Sequence, residues 1–148
     1  MAAVATNKPA DAGQCYATGV ALGTPTTADN CGVATVTNNA PAQFPVGTTT
    51  VTWTVTDNNG RTATCNQTVT VVDTQDPTIT CPANVTNVPA DAGQCYATGV
   101  ALGTPTTADN CGVATVTNNA PAQFPVGTTT VTWTVTDNNG RTATCNQT

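Results

Sequence analysis

TTTVTWTVTDNNGRTATCNQT, residues Thr48–Thr68, decides the fold, and it recurs letter for letter as Thr128–Thr148. Val51, Trp53 and Val55 alternate with Thr50, Thr52, Thr54 and Thr56, the period of two that marks a strand with one dry face and one wet face. Asp57-Asn58-Asn59-Gly60 follows, and Asn and Gly tolerate the positive φ values that tight hairpin turns require. A second alternating run, Arg61 to Val72, comes next. The pattern predicts a β-hairpin with Trp53 on its inner face and Cys65 in its return strand. Trp53 and Trp133 stand at inward positions, which makes them core anchors rather than platforms for stacking sugars.

The repetition extends well beyond the hairpin. Pro9–Thr68 and Pro89–Thr148 are identical at an offset of 80 residues, so the chain is a tandem array of a unit large enough to hold its own small core. The expected domains are 1–72, with its N-terminal strand altered or missing, and 73–148, with its C-terminal strand truncated. One unit can be read from Asp73 onward: a stiff DTQDP junction, a strand carrying Ile79 and Cys81, a turn at Ala90–Gly93, and a strand from Gln94 to Leu102. A loop at Ala108–Gly112, a strand through Val113, Thr115 and Thr117, a loop from Pro121 to Gly127 and the hairpin complete it. Six or seven short strands separated by turn residues predict an all-β fold, an antiparallel sandwich, in each unit.

Composition agrees. The chain has 36 threonines but no serine, histidine or glutamate, and eight aspartates face three cationic residues for a net charge of −5. Threonine and valine suit a half-buried pleated surface, and helix formers are scarce. So few Lys and Arg argue against nucleic acid and anionic membrane as partners, and no apolar run is long enough to span a bilayer. Without histidine, serine or paired glutamates, the usual nucleophile, base and acid sets are missing, so no enzyme is expected. Seven cysteines point to an extracellular or cell-surface setting.

The ordered series TITCPANVT, GQC, ADNCG and FPVGTTTVTWTVTDNNG, with a cysteine in the last strand, resembles the hyalin repeat, or HYR domain, as it occurs in large bacterial surface proteins. The resemblance implies immunoglobulin-like β-sandwiches chained in extracellular arrays linked with adhesion. It departs from the pattern at Met1, which aligns at the offset of 80 with Cys81 and leaves the first copy without that cysteine.

A full unit has four cysteines and three possible connectivities. Cys81 and Cys145 share the inward parity of Ile79 and Ala143, which pairs them and leaves Cys95 for Cys111. The same scheme gives Cys15–Cys31 in the first copy and an unpaired Cys65, free or bonded to another chain. The aspartates offer a second candidate. Asp73 and Asp76 at the inter-repeat junction, with Asp29 or Asp109 in the loop and Asp57 or Asp137 at the hairpin turn, supply hard oxygen ligands of the kind Ca²⁺ takes; the same residues also suit turns for backbone reasons alone.

The first copy lacks the DTQDPTITC strand and the second stops before VTVVD. Open edges of this kind invite strand addition by neighbouring copies, and a fragment of a longer array gives the same pattern. The expected role is a non-enzymatic structural repeat of an extracellular stalk, adhesin or filament. The competing expectation is an adhesion module that binds a glycan or surface protein through repeated loops.

Overall fold

A computed structural model describes residues 6–148, and Met1, with the expectation attached to it, lies outside the described residues. The chain separates into two compact units, 1–74 and 75–148. Among the described residues all regular structure in both is β.

In the first unit, β1 (Thr6–Pro9), β2 (Tyr16–Ala17), β3 (Val33–Asn38), β4 (Phe44–Pro45), β5 (Gly47–Asp57) and β6 (Thr62–Val72) follow in order. Four of them form one sheet in the order β1-β6-β5-β3. The predicted hairpin is its centre: β5 and β6 pair antiparallel from Gly47↔Val71 to Thr56↔Thr62. The Asp57 carboxylate closes the turn, its Oδ1 accepting from the amides of Asn59 and Arg61, both at 2.8 Å, and Gly60 sits at φ 83°, where a Cβ would be strained. The edge is mixed, since β1 runs parallel to β6 from Thr6↔Val69 to Pro9↔Val72. A separate pair, β2 with β4, places Ala17 and Phe44 over the sheet. With Val51, Trp53, Val69 and Val71 they form the buried core.

The second unit contains β7 (Thr78–Thr80), β8 (Tyr96–Ala97), β9 (Thr106–Ala108), β10 (Val113–Asn118), β11 (Phe124–Pro125), β12 (Val131–Asp137) and β13 (Thr142–Gln147). Its main sheet has the order β10-β12-β13, with β8 paired to β11 and β7 paired to β9. The strand expected over Gln94–Leu102 is only two residues long. Thr98 turns back to donate from its amide and hydroxyl to Asp91 Oδ2, at 3.1 and 2.7 Å, and Gly99 follows at positive φ. The loop expected at Pro121–Gly127 contains β11, which pairs with β8. In the first unit Asp11 clamps Thr18 in the same way, and these hydrogen bonds, the threonine hydroxyl foremost, hold its carboxyl below the usual carboxylate range.

Both tryptophans are buried, and each needs a partner for its indole N–H. Trp53 donates to Gln67 Oε1 and Trp133 to Gln147 Oε1, each at 3.0 Å. The glutamine amides then reach across the core, Gln67 to the Leu22 carbonyl at 3.0 Å and Gln147 to the carbonyls of Ala83 and Leu102 at 2.7 and 2.8 Å. Sequence reading passed over these glutamines. Their signal was parity, because Gln67 shares the inward register of Cys65, Val69 and Val71.

The cysteines need a correction. Cys81 and Cys145 are bonded, with Cα atoms 5.7 Å apart. The expected bridges Cys15–Cys31 and Cys95–Cys111 are absent, since Cys31 and Cys95 are exposed free thiols, while Cys15 and Cys111 have other partners. The reason lies in strand length. The Cys15 carbonyl accepts from the amide of Val46, just before β5, and the Cys31 carbonyl accepts from Nδ2 of Asn58, just after it. Eleven residues separate those ends, roughly 35 Å of extended chain, against a Cα separation of about 7 Å at most for a disulfide. Cys95 and Cys111 contact the corresponding residues, Val126 and Asn138. Cys65 is a half-buried free thiol packed against the core.

Two outcomes follow from this fold. Maleimide labelling of the folded chain, read by mass spectrometry without reduction, is expected to tag Cys31 and Cys95 and to find Cys81 linked to Cys145; a Cys95–Cys111 peptide would contradict the end-to-end separation. Gln147→Leu strands an indole N–H and two carbonyls, each orphan costing about 1–3 kcal/mol. A clear fall in the urea midpoint of the second unit is expected, and an unchanged midpoint would show that the glutamine is replaceable.

Candidate functional site

Two features of the second unit stand out, one at each end of its central strand. At one end β12 finishes on Asp137, which is 2% exposed. One oxygen of its carboxylate is fully used: Oδ1 accepts from the amides of Asn139 and Arg141, both at 2.8 Å. The other, Oδ2, is buried with no hydrogen-bonding partner. Asp109, in the loop after β9, repeats the arrangement. Its Oδ2 accepts from the Cys111 amide at 2.7 Å, and its Oδ1 is buried without a partner.

The loop is held against the hairpin turn by Asn138, whose Nδ2 donates to the Cys111 carbonyl at 2.8 Å and whose amide donates to the Gly112 carbonyl at 3.1 Å. Gly112 permits this approach: its φ is 91°, and a Cβ there would meet Asn138 Nδ2 at 2.9 Å. One carboxylate oxygen of Asp109 and one of Asp137 lie within 4.8 Å of each other, whereas Asp73 belongs to the unit 1–74.

The remaining expected ligands fall elsewhere. Asp76 accepts from Arg141 Nε at 2.7 Å in an exposed ion pair, an interaction of small energy. Asp29 and Asp57 occupy the positions equivalent to Asp109 and Asp137. Asp29 Oδ1 bonds the Cys31 amide at 2.8 Å, but Asp29 is exposed and Asp57 only half-buried. Among the described residues, carboxylate oxygens that are buried without a partner occur only in the second unit. What differs is the covering strand. β7 pairs with β9, setting the loop of Asp109, and packs on β12 and β13; among the described residues no strand takes that place in the first unit.

At the other end is an apolar groove of about 520 Å³, lined by Val85, Val88, Val100, Leu102, Phe124 and Val131 among others. In the first unit the corresponding space is filled by the end of β6, where Val69 and Val71 are fully buried and pair with Thr49 and Gly47. Gly127–Thr130 has the same sequence as Gly47–Thr50 but, among the described residues, no strand partner, so β12 begins only at Val131 whereas β5 begins at Gly47. Val126 is 75% exposed, whereas Val46 packs against the first core.

No helix among the described residues is long and apolar enough to cross a membrane. No curated protein matches the chain. The HYR domain model matches twice, over residues 5–71 and 72–148, so that Asp73, β7 and the Asp109–Asp137 pair fall within one repeat. Matched over nearly its whole length by two successive copies, with an all-β structure in both, the chain belongs to the HYR domain family.

Proposed function

We propose that these repeats are non-enzymatic structural elements of an extracellular stalk, adhesin or filament, and that their work is to carry tension. The observation supporting this reading is the connectivity of the Cys81–Cys145 bond. Cys81 directly follows β7, the first strand of the repeat, and Cys145 lies in β13, the last. A pull entering through one strand and leaving through the other passes through the sulfurs, and the chain between them bears little of it. By the chain-entropy estimate the same bond, closing a separation of 64 residues, stabilises the fold by about 4 kcal/mol. Cysteine bonds of this kind belong to oxidising surroundings, in keeping with the extracellular setting.

Single-molecule pulling tests the reading. The oxidised second repeat is expected to resist extension. After reduction the 64 residues between the sulfurs become extensible and add about 220 Å of contour length. An oxidised repeat that gives up that full length at low force would overturn the mechanical role.

The open groove favours a second reading, in which a repeat binds a partner rather than only spanning distance. Its shape and apolar lining fit a strand of the Val69–Val72 sequence contributed by a neighbouring copy, added antiparallel to Gly127–Thr130 as β6 is to Gly47–Thr50. This places recognition at a strand edge instead of in the loops that a glycan-binding role uses. A synthetic Val-Thr-Val-Val-Asp-Thr peptide added to the chain is expected to shift the NMR resonances of Phe124–Val131 and raise the melting temperature, while a scrambled peptide does neither. Equal responses to both peptides, or none at millimolar concentration, would remove this reading.

A further inference from the structure

We infer that Cys31 and Cys95 are the two halves of a disulfide between chains, joining the first repeat of one copy to the second repeat of another. The inference rests on the extracellular reading above, because an oxidising setting is what makes such a bond persist. Both thiols are exposed and unpaired. Exposure alone would not carry this. What carries it is that neither thiol has a partner within reach in its own repeat, together with the state of the same two positions in the other copy.

Cys31 lies in the loop before β3, where its carbonyl accepts from Nδ2 of Asn58 at the turn end of the hairpin. In its repeat, Cys15 stands at the far end of β5 and has another partner, and Cys65 is half-buried within β6, opposite Trp53. Cys95 is placed the other way. Its carbonyl accepts from the amide of Val126, ahead of β12 and away from the turn. In that repeat Cys111 is beside the turn, and Cys81 and Cys145 are bonded to each other.

The offset of 80 makes Cys31 and Cys111 one position of the repeat, and Cys15 and Cys95 another. At both positions one copy already has a partner and the other is an exposed thiol. Each chain therefore presents one open cysteine of each kind, one at the turn end of a repeat and one at the opposite end. Joining unlike ends is a heterologous contact, which generates rings or open filaments. Joining like ends uses the same patch twice and reverses direction at each link.

The bond forms by exchange with a small-molecule disulfide such as oxidised glutathione. The two cysteines give up two protons and two electrons; the new S–S bond forms as that of the acceptor breaks, and the acceptor leaves as two thiols.

Incubation of the purified chain in a glutathione redox buffer, followed by electrophoresis without reductant, tests the link. The parent chain is expected to give a ladder of multimers that collapses to monomer on reduction. Cys31→Ser and Cys95→Ser are each expected to stay monomeric alone and to form a dimer, and nothing larger, when mixed; Cys65→Ala leaves the ladder unchanged. Dimers in either serine variant alone would overturn the unlike pairing, and loss of the ladder in Cys65→Ala would overturn the assignment of the thiols. No ladder in the parent chain and no dimer in the mixture would overturn the proposal outright, while leaving the Cys81–Cys145 bond and the pulling result expected from it untouched.

Discussion

Each repeat depends on the register of its central hairpin, and that register is locked by one buried hydrogen bond, from the indole of Trp53 to Gln67 and from Trp133 to Gln147. A slip of one residue would turn every inward valine to solvent and leave the indole N–H without its acceptor. The glutamine amide ties the hairpin to the carbonyls of the opposite layer, so the same group fixes strand register and sheet packing. With few aromatics in the chain, this polar link takes on part of the specificity that a larger apolar core would supply.

The hairpin also sets distances. Its first strand is long enough to hold the two halves of each expected short disulfide at opposite ends of the repeat, which is why those bridges do not form. The same length separates a carboxylate-lined end, where the turn meets the loop of Asp109, from an apolar end, where the strand edge lies open. The Cys81–Cys145 bond succeeds because β7 packs on β13 and brings the two cysteines together.

Much of this was legible in the residues. The alternation of Val51, Trp53 and Val55, the Asp-Asn-Asn-Gly turn and the inward parity of Cys81 and Cys145 are local or periodic signals, and they carry the fold class and the hairpin. The glutamine partners share that parity, but an inward position does not show that a polar side chain there meets a buried indole. The short disulfides were misread because parity says which face a cysteine takes and nothing about which end of a strand its loop reaches. The aspartates were half legible: Asp109 and Asp137 stood among the expected oxygen ligands, but what buries them and leaves Asp29 exposed and Asp57 half-buried depends on β7, a tertiary element that no local pattern weighs.

Identical sequence therefore reaches two different states in one molecule, and the difference comes from the strands that flank it. Residues 47–50 are strand because the end of β6 lies beside them, and residues 127–130 are not because no described strand pairs with them. Amide hydrogen exchange followed by NMR tests that claim most directly, since Thr48–Thr50 and Thr128–Thr130 share their sequence neighbours and so their intrinsic exchange rates. Slow exchange at Thr48–Thr50 and fast exchange at Thr128–Thr130 is the predicted result; equal protection at the two sets would contradict the account.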